Sequence, residues 1–329
     1  MMLDKQRMVW VDWLKAFLIF LVILGHLPDE LHIKRFIYLF HMPAFFMISG
    51  YLYRPRAIKE EMRKIVSQLL FPYLFYGICL IGLFCFIRGR FYPELFYSFL
   101  IGDYFSVCGI HPPMCPIWFV LALVNMRVSI LIINRIIPRY SLYVLLFISL
   151  IISAVVFTNV RNFPNIFMIK TTLLCLPFFI MGYCISQYNL MEKLKVVSLR
   201  MTFCLSIFLF LIAIYLGFQN GTVAVIFCTY GYNLTIFYIV ATVLTLIWMN
   251  TLQRLCLMRL KFIEIISEGT FLIMALHYIM LNTIMHYVLE KGVGIILVAF
   301  IALLICMGII LVCRKYFPFA LGKSSLFYR

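Results

Sequence analysis

Long apolar runs, each broken by a short polar stretch, repeat along almost the whole chain. A helix that crosses a bilayer needs about 20 consecutive apolar residues. Runs of that kind fall at residues 9–27, 36–53, 66–87, 116–133 and 141–158, and again at 169–187, 201–218, 231–248, 270–289 and 293–313. The pattern predicts an all-α fold, a polytopic membrane helix bundle of about ten transmembrane helices. One integral-membrane domain over residues 1–329 is expected. Residues 91–101 are read as a re-entrant or interfacial helix, and residues 222–230 as an extension of the eighth helix at its start.

Composition sharpens this picture. A mean hydropathy of +1.06 and 65% hydrophobic residues exclude a soluble globular domain. The charged share, 12%, is about half the usual one. A net charge of +16 raises the question of nucleic acid. The basic residues do not interleave with aromatics on a polar face, as strand binding requires, so no nucleic-acid partner is expected. They cluster instead at alternate interhelical segments: Arg54, Arg56, Lys59, Arg63 and Lys64; Lys193, Lys195 and Arg200; Arg254, Arg259 and Lys261. Lys and Arg concentrate on the cytoplasmic side. The alternation therefore predicts both termini in the cytoplasm. The first run is of full membrane length with no small-residue cleavage site after it, so a cleaved leader is not expected. The cysteines sit singly in apolar runs and read as small core residues. Cys108 and Cys115, flanking His111 in a loop, leave a disulfide open; three candidate ligands are too few for a metal site.

Ionisable residues inside lipid-length runs are the strongest functional signal, because a Lys or Asp at bilayer depth costs roughly 2.5–3.5 kcal/mol. The first helix carries Asp12, Lys15 and His26. At about 100° per residue, Lys15 and His26 differ by about 20° of azimuth and Asp12 lies about 60° from Lys15. All three share one stripe, with about 16 Å of rise between Lys15 and His26. Such a stripe lines a narrow passage; the alternative for Asp12 and Lys15 is an i, i+3 pair that snorkels to the interface. The second helix places His41 in its outer half. Pro43 is expected to kink that helix beside His41, since it clashes with the carbonyl of Leu39. His26 and His41, at similar depth on adjacent helices, are expected to converge. An imidazole titrates near neutrality and serves as general base toward a hydroxyl. His277 lies in mid-helix, Trp118 is a packing or interfacial residue, and His32, His111 and His286 look like loop or interface residues.

Val11-Asp12-Trp13-Leu14-Lys15-Ala16 with Gly25-His26, and Phe40-His41-Met42-Pro43 with Phe45-Phe46-Met47-Ile48-Ser49-Gly50-Tyr51, resemble the membrane-bound acyltransferase-3 family. The likeness is nearest to its branch of fucose 4-O-acetylase-like and polysaccharide O-acetyltransferases. Weaker echoes are Leu70-Phe71-Pro72-Tyr73, Pro116-Ile117-Trp118-Phe119, Leu176-Pro177-Phe178-Phe179-Ile180-Met181-Gly182 and Leu276-His277. The resemblance implies an O-acetyltransferase of the bacterial inner membrane. It would take an acyl group, usually acetyl, from cytoplasmic acetyl-CoA and pass it to a hydroxyl of an extracytoplasmic sugar or lipid-linked glycan. Acetyl-CoA is then a co-substrate, and no metal is implied.

The family's first-helix histidine falls on His26, the candidate catalytic base, with His41 orienting or binding. The basic residue eleven positions earlier, often Arg, falls on Lys15, which keeps the charge and loses the planar fork. Gln68 stands where a basic residue often precedes the third-helix proline, so the phosphates of coenzyme A are assigned to Arg63 and Lys64. Asp12, Trp118 and His277 complete the set as substrate-binding candidates. The rival reading, a transporter or flippase of a glycan intermediate, calls for polar residues spread over many helices near the midplane. Here they concentrate on the first two.

Overall fold

The computed structural model describes residues 7–27, 33–104, 115–137, 141–159, 164–256, 258–288 and 294–323. In chain order the helices are α1 (Val9–Gly25), α2 (Ile33–Tyr38), α3 (His41–Leu52), α4 (Ile58–Ile65), α5 (Phe71–Arg88), α6 (Pro93–Ile101), α7 (Trp118–Ile136) and α8 (Leu142–Asn159). Then follow α9 (Ile169–Gln187), α10 (Leu190–Leu194), α11 (Leu199–Gln219), α12 (Leu234–Leu255), α13 (Lys261–Glu268), α14 (Thr270–Val288) and α15 (Ile295–Tyr316). Among the described residues seven helices are long and apolar enough to cross a membrane, or eight if the bent pair α13–α14 forms one span. Their surfaces agree with that setting: α8 and α11 hold few buried positions, and their outer faces carry Phe147, Ile151, Phe203, Phe208 and Leu211. Exposed apolar area on that scale suits lipid rather than water. The chain is an integral membrane protein built as a polytopic helix bundle.

Two of the expected spans differ from single continuous helices of that length. α1 has 17 residues. The span expected at 36–53 is broken at Leu39 and Phe40 into α2 and α3. Pro43 does not kink this helix beside His41, contrary to expectation. The break precedes His41, and Pro43 occupies the first turn of α3, where a missing N–H costs no intrahelical bond. At residues 66–87 the span is longer than expected. α4, a π-helical stretch Val66–Leu70 and α5 run on from Ile58 to Arg88. The wider π turn bonds Phe71 N–H to the carbonyl of Val66, ahead of Pro72, which has no N–H to donate.

α6 is the short helix expected near 91–101, pinned where the Tyr73 hydroxyl donates to the carbonyl of Phe99 at 3.0 Å. Residues 222–230 do not extend a helix. They form a small antiparallel hairpin, Val223–Ala224 on Thr229–Tyr230. Gly221 and Gly231 flank it at φ +89° and +76°, conformations glycine adopts without strain. Asn220 locks it, donating to the carbonyl of Tyr230 at 3.0 Å and accepting from Asn233 N–H at 2.7 Å.

α1, α3 and α9 form the buried centre. α3 and α9 touch backbone to backbone: a Cβ on Gly50 would stand 1.8 Å from the carbonyl oxygen of Phe179, and one on Gly182 1.8 Å from that of Met47. Small residues permit this approach, and close packing drives helix association where lipid removes the hydrophobic driving force. α1 packs against α2, α3, α12, α13, α14 and α15. The helix with the polar stripe is thus enclosed on nearly every side.

Candidate active site

α13 and α14 meet at Gly269 with an 80° bend, and this corner receives the inner end of α1. Asp12 accepts from Ser267 Oγ at 2.6 Å and from Arg7 Nε at 2.5 Å. Arg7 reaches on to Glu268 at 2.8 Å and to the carbonyl of Glu264 at 3.2 Å. Its guanidinium is held above its ordinary pKa, chiefly by the hydrogen bond to Asp12. Lys323 bonds the other oxygen of Glu268 at 2.6 Å. Residues near both ends of the described chain therefore share one polar cluster. Asp12 does not pair with Lys15: its oxygens are taken by Arg7 and Ser267. Lys15, roughly 4.5 Å further along α1, has no hydrogen bond or ion pair among the described residues.

At the other end of the stripe stands His26, partly exposed, with Nδ1 2.8 Å from the carbonyl of Val22. The ring packed directly against it belongs to His277, edge to face, with centroids 4.8 Å apart. His277 is fully buried and its Nδ1 lies 2.9 Å from the carbonyl of Ile273. His277 Nε2 is buried and has no hydrogen-bond partner among the described residues. His41 follows the same rule, with Nδ1 2.8 Å from the carbonyl of Ile37. A carbonyl only accepts, so in each neutral ring Nδ1 carries the hydrogen and Nε2 keeps the lone pair. Three helices thus present imidazoles whose basic nitrogen is turned away from the backbone.

His26 and His41 do not stack on one another. Tyr38 bridges them: its ring lies 5.1 Å from that of His41, and its hydroxyl donates to the carbonyl of Gly25 at 3.3 Å. The companion of His26 that helix periodicity could not supply is His277, because α14 is far away in sequence. Trp118 is buried at the start of α7, edge-on to Phe46, and the 3-10 turn before it packs against α14. Among the described residues no three His, Cys, Asp or Glu side chains come together as a metal site would require. The questions raised by His32, by His111 with Cys108 and Cys115, and by the side chain of His286 lie outside the described residues.

The basic segment 54–64 lies only partly at the surface. Arg63 is exposed and without an ion pair among the described residues, and Lys64 lies 3.5 Å from Glu60. Glu61 is fully buried against the middle of α7. There Arg127 grips one of its oxygens with Nε at 2.8 Å and with Nη2, while Arg56 approaches the other at 3.3 Å. Sequence reasoning missed this triad. Its signal was Arg127 itself, a cation at mid-span with no assigned partner.

A family model described as an acyltransferase domain matches residues 8–314. A nodulation protein, NolL, of Sinorhizobium fredii is 36% identical over 87 residues, which cover 22% of this chain and 24% of that protein. The chain thus spans about a quarter of the length of the curated relative it matches. No solved structure matches the chain.

Proposed function

This chain belongs to the acyltransferase-3 family, and from that membership we propose that it is an O-acetyltransferase. In this reading it moves an acetyl group from acetyl-CoA at the cytoplasmic face to a hydroxyl of an extracytoplasmic sugar or lipid-linked glycan. The observation that carries the reading is His26, whose Nδ1 is tied to Val22 and whose Nε2 is free to take a proton. It caps the end of α1, the helix that also carries Lys15, a cation with no ion pair among the described residues.

The hydroxyl oxygen of the acceptor attacks the thioester carbonyl. The O–H bond breaks toward His26 Nε2, the new C–O bond forms, and the C–S bond breaks. The thiolate of coenzyme A then takes the proton that His26 holds, so atoms and charge balance. General-base catalysis of this kind contributes about 10²–10⁴-fold. Lys15, about 16 Å along α1 from His26, would line the path of the donor's pantetheine arm. Arg63 and Lys64 would meet its phosphates, which suit exposed, charge-assisted donors. His41, held by Ile37 and covered by Tyr38, would orient the acceptor, and Trp118 would wall the site. Asp12 is engaged by Arg7 and Ser267, so in this reading it anchors α1 to the α13–α14 corner rather than touching substrate. In this reading the chain lies in the bacterial inner membrane, as the family resemblance implies, and the alternation of basic clusters favours both termini in the cytoplasm. The shared bonding of Arg7 and Lys323 to Glu268 supports it.

Inside-out membrane vesicles carrying the native acceptor, supplied with acetyl-labelled coenzyme A, test the proposal. Wild type should label a glycan or lipid-linked sugar, and His26→Ala at matched expression should lose at least about a hundredfold. Equal transfer by the variant removes His26 from the chemistry. No transfer by wild type with the acceptor present refutes the reaction.

A further inference from the structure

We infer that the Nε2 atoms of His26 and His277 together recognise two adjacent hydroxyls of one acceptor, which is therefore a sugar bearing a vicinal diol. His26 takes the proton of the hydroxyl that is acylated, and His277 holds its neighbour. The inference rests on the acyl-transfer reading above and narrows it to an acceptor chemistry and a specificity-determining residue.

Both rings spend Nδ1–H on the carbonyl one turn earlier, Val22 for His26 and Ile273 for His277. Both neutral rings therefore offer only a lone pair to whatever enters. The rings are 4.8 Å apart between centroids, close enough for one small molecule to reach both. His277 is 0% exposed and its Nε2 has no partner among the described residues. A buried acceptor left unsatisfied is costly, so a native structure that keeps one keeps it for a ligand, a water or ion, or strain. The complement of two neighbouring acceptors is two neighbouring donors on one scaffold. A vicinal diol supplies them. A phosphate or carboxylate supplies only more lone pairs, and an isolated primary hydroxyl satisfies one ring and strands the other. During transfer only the reacting O–H bond breaks; the neighbouring hydroxyl keeps its hydrogen and donates it to His277 throughout. His277 thereby selects which hydroxyl of the sugar is presented to His26.

The test is a cycle that crosses protein and acceptor. Full-length protein in lipid nanodiscs is given acetyl-CoA and methyl pyranosides of glucose, galactose, mannose and fucose as surrogate acceptors. The acetylated position of any product is read by NMR, and kcat/KM is then measured on its monodeoxy analogues. For wild type, removing the hydroxyl next to the acetylated position should cost about ten- to a hundredfold, far more than removing a distant one. His277→Ala should lose a similar factor on the parent sugar and show no further loss on the adjacent-deoxy analogue. His277→Gln, which retains an accepting oxygen, should recover part of the activity on the parent sugar. Losses that multiply in the Ala variant overturn the assignment and leave His277 a packing residue. Equal sensitivity of wild type to adjacent and distant deoxygenation overturns it as well, and that arm needs no variant to fold. A wild type that acetylates no sugar in the panel overturns the sugar-acceptor reading and this inference with it. A wild type that transfers but fails the cycle leaves that reading standing.

Discussion

Glu61→Gln should destabilise the protein more than any other single removal of charge from the segment between α3 and α5. Glu61 is 0% exposed and is held by Arg127 Nε at 2.8 Å and by Arg56 at 3.3 Å. The two charge centres of the Arg127 pair are about 4 Å apart, an attraction of about 4 kcal/mol at an effective dielectric of 20. Breaking a buried pair by removing one partner costs about 3–5 kcal/mol, because the other charge stays buried. Here two cations stay, and they repel each other. For a chain of this length that loss lowers the melting temperature by roughly 4–7 °C. Scanning fluorimetry in nanodiscs, at equal protein and lipid, reads it directly.

The companion variant Glu61→Met/Arg127→Met replaces the Glu61–Arg127 pair with apolar side chains. It should melt above Glu61→Gln, since replacing a buried ion pair by packed apolar groups is often neutral or better. A single variant that melts within 1 °C of wild type, or a double variant below the single, refutes the reasoning. Either result would mean that water or lipid headgroups reach the triad. The same variant should also weaken the use of acyl donor, because Glu61 is what holds α4, and with it Arg63 and Lys64, against α7.

Two further outcomes follow from the packing. Lys15→Met should leave the melting temperature within about 1–2 °C of wild type or raise it, since Lys15 has no hydrogen bond or ion pair to lose among the described residues. The same variant should raise KM for the acyl donor in a vesicle transfer assay, and an unchanged KM removes Lys15 from the donor path. Gly182→Ala should be poorly tolerated, as a Cβ there would stand 1.8 Å from the backbone oxygen of Met47 and push α3 from α9. A loss of about 1–3 kcal/mol in the same melting assay is expected, and a neutral result would show that the two helices do not touch there.

Much of the architecture was legible from hydropathy, because a bilayer forces every backbone polar group into a helix and sets its length. The spans at 141–158, 201–218 and 293–313 therefore match α8, α11 and α15 to within a few residues. Local chemistry misled where a residue has two roles. Pro43 breaks a helix interior but opens a first turn, and only the chain path at Leu39 and Phe40 selects between them. Residues 222–230 are apolar enough for a helix, yet Gly221, Gly231 and the side chain of Asn220 turn them into a hairpin. For the site, periodicity placed Asp12, Lys15 and His26 on one face of α1, since a single helix repeats its own geometry. Which residues meet that face is a matter of contacts between helices, and no local rule carries it. Packing put His277 rather than His41 against His26, gave Asp12 to Arg7 and Ser267, and buried Glu61 beside Arg127. Each of these pairs joins groups that need a partner once lipid and protein have excluded water, and the partner comes from whichever helix the bundle brings close.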